Sequence, residues 1–164
     1  MQSKWSILIG MAFLYAACDD TRIYDSYRTY PNAWHKDSIA TFEVPAISAD
    51  TSQRYNIFIS LRNTNEYPYS NLFLISSIQF PNGKTVVDTL EYLMAEPSGK
   101  WLGKGFSDVK ENKLWLKENV RFTEEGTYTV SLQHAMRDNG SIEGVQQLEG
   151  ITDVGIRIEK PVKP

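Results

Sequence analysis

What this 164-residue sequence lacks narrows it first. It has one cysteine, so no disulfide forms within the chain, and neither a Cys-x-x-Cys redox pair nor a cysteine-built zinc knot is available. Only two histidines, His35 and His134, are present; imidazole ligands are scarce, and no metal or other cofactor is expected. No run of Lys or Arg occurs, and 17 basic against 20 acidic residues leave a net charge of −3. That balance gives no field for a nucleic-acid backbone and no polybasic landing site for anionic lipids. Nor does any stretch sustain a 3.6-residue apolar period beyond about two turns; the nearest candidate, Val109 to Leu116, is interrupted by Asn112. Helical architectures are set aside on that ground, and the length fits one domain with one core.

What is present begins with the apolar run Trp5 to Tyr15, which follows Lys4. It falls within the roughly 7–15 residues of a signal-peptide core and is too short to span a bilayer. Residues 1–17 therefore read as a signal peptide. Ala16-Ala17-Cys18 resembles a bacterial lipobox, with Tyr15 standing where Leu is usual, and implies that Cys18 becomes the lipidated first residue of the mature chain. Two or three acyl chains, at about 0.8 kcal/mol per buried CH₂, would hold such a domain essentially permanently. Asp19-Asp20 fit an acidic sorting signal and a solvated linker equally well. Residues 18–37 are polar and aromatic without period, which predicts a tether, with the folded domain at 38–164.

Beyond Ser38, segments of period two recur between turn signals: Ile39 to Val44, Tyr55 to Arg62, Leu72 to Phe80, Thr85 to Met94, Leu114 to Phe122, Thr127 to Met136 and Ile151 to Glu159. Tyr55, Ile57, Ile59 and Leu61 alternate with polar Asn56 and Ser60, so one face packs and the other is wet. Pro81-Asn82-Gly83 supplies residues that tolerate positive φ, predicting a hairpin between the third and fourth segments. The expected fold is all-β: an antiparallel sandwich of about seven strands, immunoglobulin-like or jelly-roll-like. Gly126-Thr127-Tyr128 resembles the tyrosine corner of Greek-key sandwiches, giving Tyr128 a structural role.

Catalytic patterns are missing. No Ser carries a nucleophile-elbow flank, and His134 reads as a packed strand residue. Trp101-Leu102-Gly103-Lys104-Gly105 lacks the Gly-Lys-Ser/Thr ending of a phosphate loop, so its glycines read as a sharp corner covered by Trp101. Glu124-Glu125 sit in a solvated turn, and a hydrolase built on Asp88 or Asp108 is the weakest reading. The long loop Arg62 to Asn71, rich in Tyr, Pro and Asn, is entropically costly to order unless it packs or binds something. Asn139-Gly140-Ser141 reads as a loop tip.

The lipobox, then Arg62-Asn63-Thr64, Tyr67-Pro68-Tyr69-Ser70-Asn71-Leu72, Asp88-Thr89-Leu90-Glu91-Tyr92, Trp101-Leu102-Gly103-Lys104-Gly105, Gly126-Thr127-Tyr128, Ala135-Met136-Arg137 and Gly150 to Glu159 stand in the order that resembles the gliding-motility lipoprotein GldH family of Bacteroidetes. The resemblance covers nearly the whole mature chain. It implies a cell-envelope lipoprotein, at the outer membrane, required for gliding and acting without catalysis beside other proteins of the motility and secretion apparatus. It brings no catalytic residues. Cys18 alone carries over with a definite role, while Tyr67, Tyr69, Trp101, Arg137, Asp153 and Arg157 are the candidate partner-binding positions. The alternative, prompted by the aromatic content, is a glycan-binding surface lipoprotein with Tyr67, Tyr69 or Trp101 exposed as a platform for sugar rings.

Overall fold

Alternating apolar and polar residues bury one side of a pleated strand, and the inward sets here come from two layers. The computed structural model describes residues 21–45, 47 and 52–162; the signal segment, Cys18 and Asp19-Asp20 lie outside the described residues. Within them run β1 (Arg22–Thr29), β2 (Ala33–His35), β3 (Ala40–Val44), β4 (Tyr55–Asn63), β5 (Asn71–Gln79), β6 (Thr85–Leu93), β7 (Lys110–Val120), β8 (Tyr128–His134), β9 (Gln147–Glu149) and β10 (Ile151–Glu159). One sheet has the order β1-β10-β4-β7, the other β3-β8-β5-β6, and β2 pairs with β9 in a short ribbon. Every pairing is antiparallel. Ile57, Ile59, Leu61, Val154, Ile156 and Ile158 face Phe42, Val44, Leu72, Leu74, Val130 and Leu132 across a single core. The all-β antiparallel sandwich expected from the sequence is the architecture found.

Two expectations are corrected. The described residues hold ten strands, not about seven, because β1, β2 and β9 were not read from the sequence. The stretch taken as a tether from Cys18 to Asp37 enters the fold at Arg22: β1 pairs along β10 from Arg22↔Glu159 to Thr29↔Asp153. The pairing needs Gly155, where a Cβ would stand 2.6 Å from the Ser26 carbonyl oxygen and 2.8 Å from the Tyr27 ring. Tyr27 lies over that glycine, and the Arg62 guanidinium stacks 4.8 Å above the Tyr27 ring.

The sandwich has two distinct ends. At the end where Thr21 accepts a hydrogen bond from the Lys160 amide, Tyr55, Phe80, Phe122 and Tyr128 plug the core with ring centroids 4.9–5.5 Å apart. The Tyr128 hydroxyl accepts from the Glu124 amide at 3.0 Å, which is the expected tyrosine corner. The Pro81-Asn82-Gly83 turn also lies here, with Gly83 at φ 87° and the Asn82 side chain accepting from the Lys84 amide. Side chains close both open seams between the sheets. Arg28 donates to the Thr41 carbonyl at 2.9 Å on one side; on the other, Tyr92 donates to the Trp115 carbonyl and Lys117 pairs with Asp88 at 2.7 Å.

Candidate functional site

The opposite end, where β4 finishes at Asn63 and β5 begins at Asn71, gathers the chain's unusual loops. The 64–70 loop crosses it, held by Thr64 donating to the Gly150 carbonyl. Gly150 has φ +74°, and a Cβ there would come within 2.6 Å of the Tyr67 Cα, so this crossing requires glycine. Tyr67 is only 3% exposed and its hydroxyl donates to the Asn71 carbonyl at 2.7 Å. Burial drives its pKa well above the ordinary tyrosine value.

Two hairpins flank this loop. The first is the excursion between β6 and β7. Leu102 returns to the Met94 carbonyl, after which Lys104 and Glu111 exchange both backbone hydrogen bonds at 2.8 Å. The Lys110 ammonium donates to the Gly105 and Ser107 carbonyls, tying the tip, and Phe106 stands fully exposed upon it. The second lies between β8 and β9, with Val145 donating to Met136, Arg137 bridged to Gly144 and a turn through Gly140 at φ 82°. Asn139-Gly140-Ser141 is thus the loop tip expected, and next to it Ile142 is 91% exposed.

Side chains brace both hairpins against the central loop. Asn65 links the first, accepting from the Trp101 indole at 2.9 Å and donating to Asp108 at 3.3 Å. Tyr69 links the second, donating to Asp138 at 2.6 Å; that bond to a carboxylate is the main cause of the rise in its pKa to about 12. The Tyr67 ring packs 5.7 Å from Tyr69 and 6.1 Å from Trp101. Beside the hairpins a broad open depression is lined by Pro31, Asn32, Ala33, Glu66, Gln147 and Glu149.

Of the sequence-predicted positions, Tyr67, Tyr69, Trp101 and Arg137 therefore share one end of the molecule. Tyr67 is a core residue there and presents no surface to a partner. Asp153 sits at the start of β10, accepting from the Thr29 hydroxyl at 2.7 Å. Arg157 lies farther along the same strand, on the outer sheet face, pairing with Glu159 and with Asp25. Neither belongs to the loop cluster. Phe106, Ile142, Asn65 and Asp138 were missed; an apolar residue beside a turn glycine, as in Gly105-Phe106 and Asn139-Gly140-Ser141-Ile142, was the signal available. Among the described residues no group of three or more His, Cys, Asp or Glu side chains is placed to hold a metal ion.

Comparison with known proteins fits these features to a family. The profile of the GldH lipoprotein family matches residues 22–158, from the first residue of β1 to the penultimate residue of β10. The gliding motility lipoprotein GldH homolog of Christiangramia forsetii is 55% identical over 98% of both chains. The gliding motility lipoprotein GldH of Flavobacterium johnsoniae is 51% identical over 94% of both. A chain of the infectious bursal disease virus Gx strain structure overlaps 84% of this chain and 30% of its own at a TM-score of 0.35 and 13% identity, too loose a likeness to bear on fold or function. With the profile spanning the whole described sandwich and relatives more than half identical along nearly their full length, the chain belongs to the GldH lipoprotein family.

Proposed function

We propose that this gliding-motility lipoprotein is a non-catalytic assembly component of the motility and secretion apparatus, anchored in the outer membrane through lipid on Cys18. The observation that carries the reading is the 51–55% identity, over nearly the full length, to chains named as gliding motility lipoproteins. The distribution of reactive groups is consistent with it: Asp88 is engaged by Lys117 on the side of the sandwich, Asp108 by Asn65 at the loop end. The glycan alternative finds less support: Tyr67 is buried, and the partly exposed Tyr69 and Trp101 rings meet it edge-on and tilted rather than forming one flat face with it.

In-cell crosslinking of the native lipoprotein, followed by mass spectrometry of what co-purifies, tests the proposal. Recovery of gliding or secretion components is expected. Recovery of sugar-uptake proteins or glycan alone would transfer the assignment to the glycan-binding reading.

A further inference from the structure

We infer that the two hairpin tips at the loop end, carrying Phe106 and Ile142, form a two-pronged docking surface for an envelope protein that presents two apolar sockets, acidic beside one and basic beside the other. The inference rests on the interaction-component reading above and names the surface that reading leaves open.

Exposure of a large apolar side chain is ordinary when isolated, but not when two stand on braced tips at one end of a molecule. Phe106 is fully exposed and Ile142 91% exposed. Neither tip is slack: Lys110 ties the first and the Ser141 hydroxyl, donating to the Glu143 carbonyl, ties the second. Asn65 and Tyr69 fix both hairpins to the same central loop. Their ordering is therefore prepaid in folding, which removes an entropic cost that association would otherwise meet.

The charge pattern selects the class of partner. The tip around Phe106 carries Lys104, Asp108 and Lys110, one net positive charge, whereas the tip around Ile142 carries Arg137, Asp138 and Glu143, one net negative charge, to which Glu66 and Glu149 in the adjacent depression add. An anionic lipid surface would attract the first prong and repel the second; a protein with charges of both signs matches each. The position argues the same way. The lipidated residue of the reading above precedes Thr21 by three residues, a reach of about 10 Å, and Thr21 lies at the other end of the sandwich. The nine residues of β4 alone separate the two ends by about 30 Å. The anchored domain thus carries its prongs away from its own membrane.

The test installs a photocrosslinking benzoylphenylalanine in the full-length lipoprotein at Phe106, at Ile142, or at Val87, which is exposed on the side of the sandwich, and irradiates intact cells. The expected result is one shared protein adduct from positions 106 and 142 and none from 87. Its yield from position 142 should fall about tenfold or more with Phe106→Asp, while the melting temperature stays that of the parent because the side chain packs on nothing. Protein adducts from position 87 with none at the prongs would overturn the two-pronged surface and leave the interaction component standing. Absence of protein adducts at all three positions would overturn both. Lipid adducts alone from position 106 would reassign the prongs to membrane contact.

Discussion

The His134 imidazole points into the sandwich from β8, its Nε2 3.0 Å from the Trp34 carbonyl and its ring edge-on to Trp34 at 5.2 Å. Its Nδ1 finds no partner among the described residues. Burial lowers its pKa below the ordinary histidine value; His35 and Lys36 on the β2 side add repulsion, while the Trp34 carbonyl opposes the shift. The folded state consequently holds His134 neutral where the unfolded chain is already protonated. Stability from this residue is fully present above about pH 6.5 and is lost as pH falls from there toward the depressed folded value, with a slope of at most about 1.4 kcal/mol per pH unit. Urea midpoints measured between about pH 7.5 and pH 5.8 should show that slope in the parent and lose it in His134→Gln, which keeps a donor for Trp34. Two glycines give a second contrast at this scale. Gly150→Ala adds a Cβ against Tyr67 backbone that cannot move aside, on top of a positive φ; Gly140→Ala meets the same sign of φ, +82°, in open space. The first should lower the unfolding free energy by roughly 3 kcal/mol or more, the second by about 1 kcal/mol.

β1 is the element whose role in the fold was hardest to foresee. It covers one edge of β10, sets Tyr24 on the core side and Tyr27 over Gly155, and through Arg28 closes a seam of the sandwich. A chain beginning at Ser38 would leave the β10 edge and that seam open. The expected outcome is loss of the cooperative thermal transition by circular dichroism, whereas a chain beginning at Thr21 melts in one step; the loss would exceed the roughly 5–15 kcal/mol that holds a domain together. β5, buried on one face, was legible because packing enforces alternation, and β10 ends at the residues its sequence pattern gives although Gly155 and Glu159 on its other face are buried too. β1 was not, because an edge strand half open to water needs no alternation: its sequence RIYDSYRT buries no residue fully. β7 begins at Lys110, four residues before the expected start at Leu114, for a different reason. Its core-facing Asn112 is buried against polar partners, donating to Asn63 Oδ1 at 2.8 Å and to the Leu61 carbonyl, so an amide occupies a position where the pattern expects an apolar residue. β2 and β9 have three residues each, too few to show any period. At the loop end, the segment from Arg62 to Asn71 was readable as an aromatic loop costly to order unless it packs or binds something, and Trp101 as the cover of a sharp corner, but not that the two segments meet. Asp153 and Arg157 lie on β10 itself, bonded to Thr29 of β1 and to Asp25 and Glu159, because a residue's membership of a strand or of a loop cluster beside it depends on pairing partners distant in sequence.

At the scale of the molecule, the short distance between Cys18 and β1 ties anchoring to orientation. With the ladder starting at Arg22, the segment between the lipidated residue of the proposed function and the fold is a few residues, not the roughly twenty of the expected tether. A flexible segment of twenty residues would let its ends separate by about 25 Å on average, enough for the domain to turn over beside the membrane; three residues reach about 10 Å and restrict it. Inserting twenty Gly/Ser residues between Asp20 and Thr21 leaves every described contact of the sandwich in place, so the melting temperature should match the parent within measurement error. If orientation matters, photocrosslinking from Phe106 to its partner should drop several-fold in cells, because the prongs no longer stand at a defined height and the effective concentration at the partner falls with the volume the domain explores. Unchanged crosslinking in the long-tether variant would mean that the partner travels with the domain and that the position of the strand ladder relative to the anchor sets no geometry. Loss of crosslinking together with a lowered melting temperature would point to damage at β1 instead, which is why both are measured on the same full-length chain.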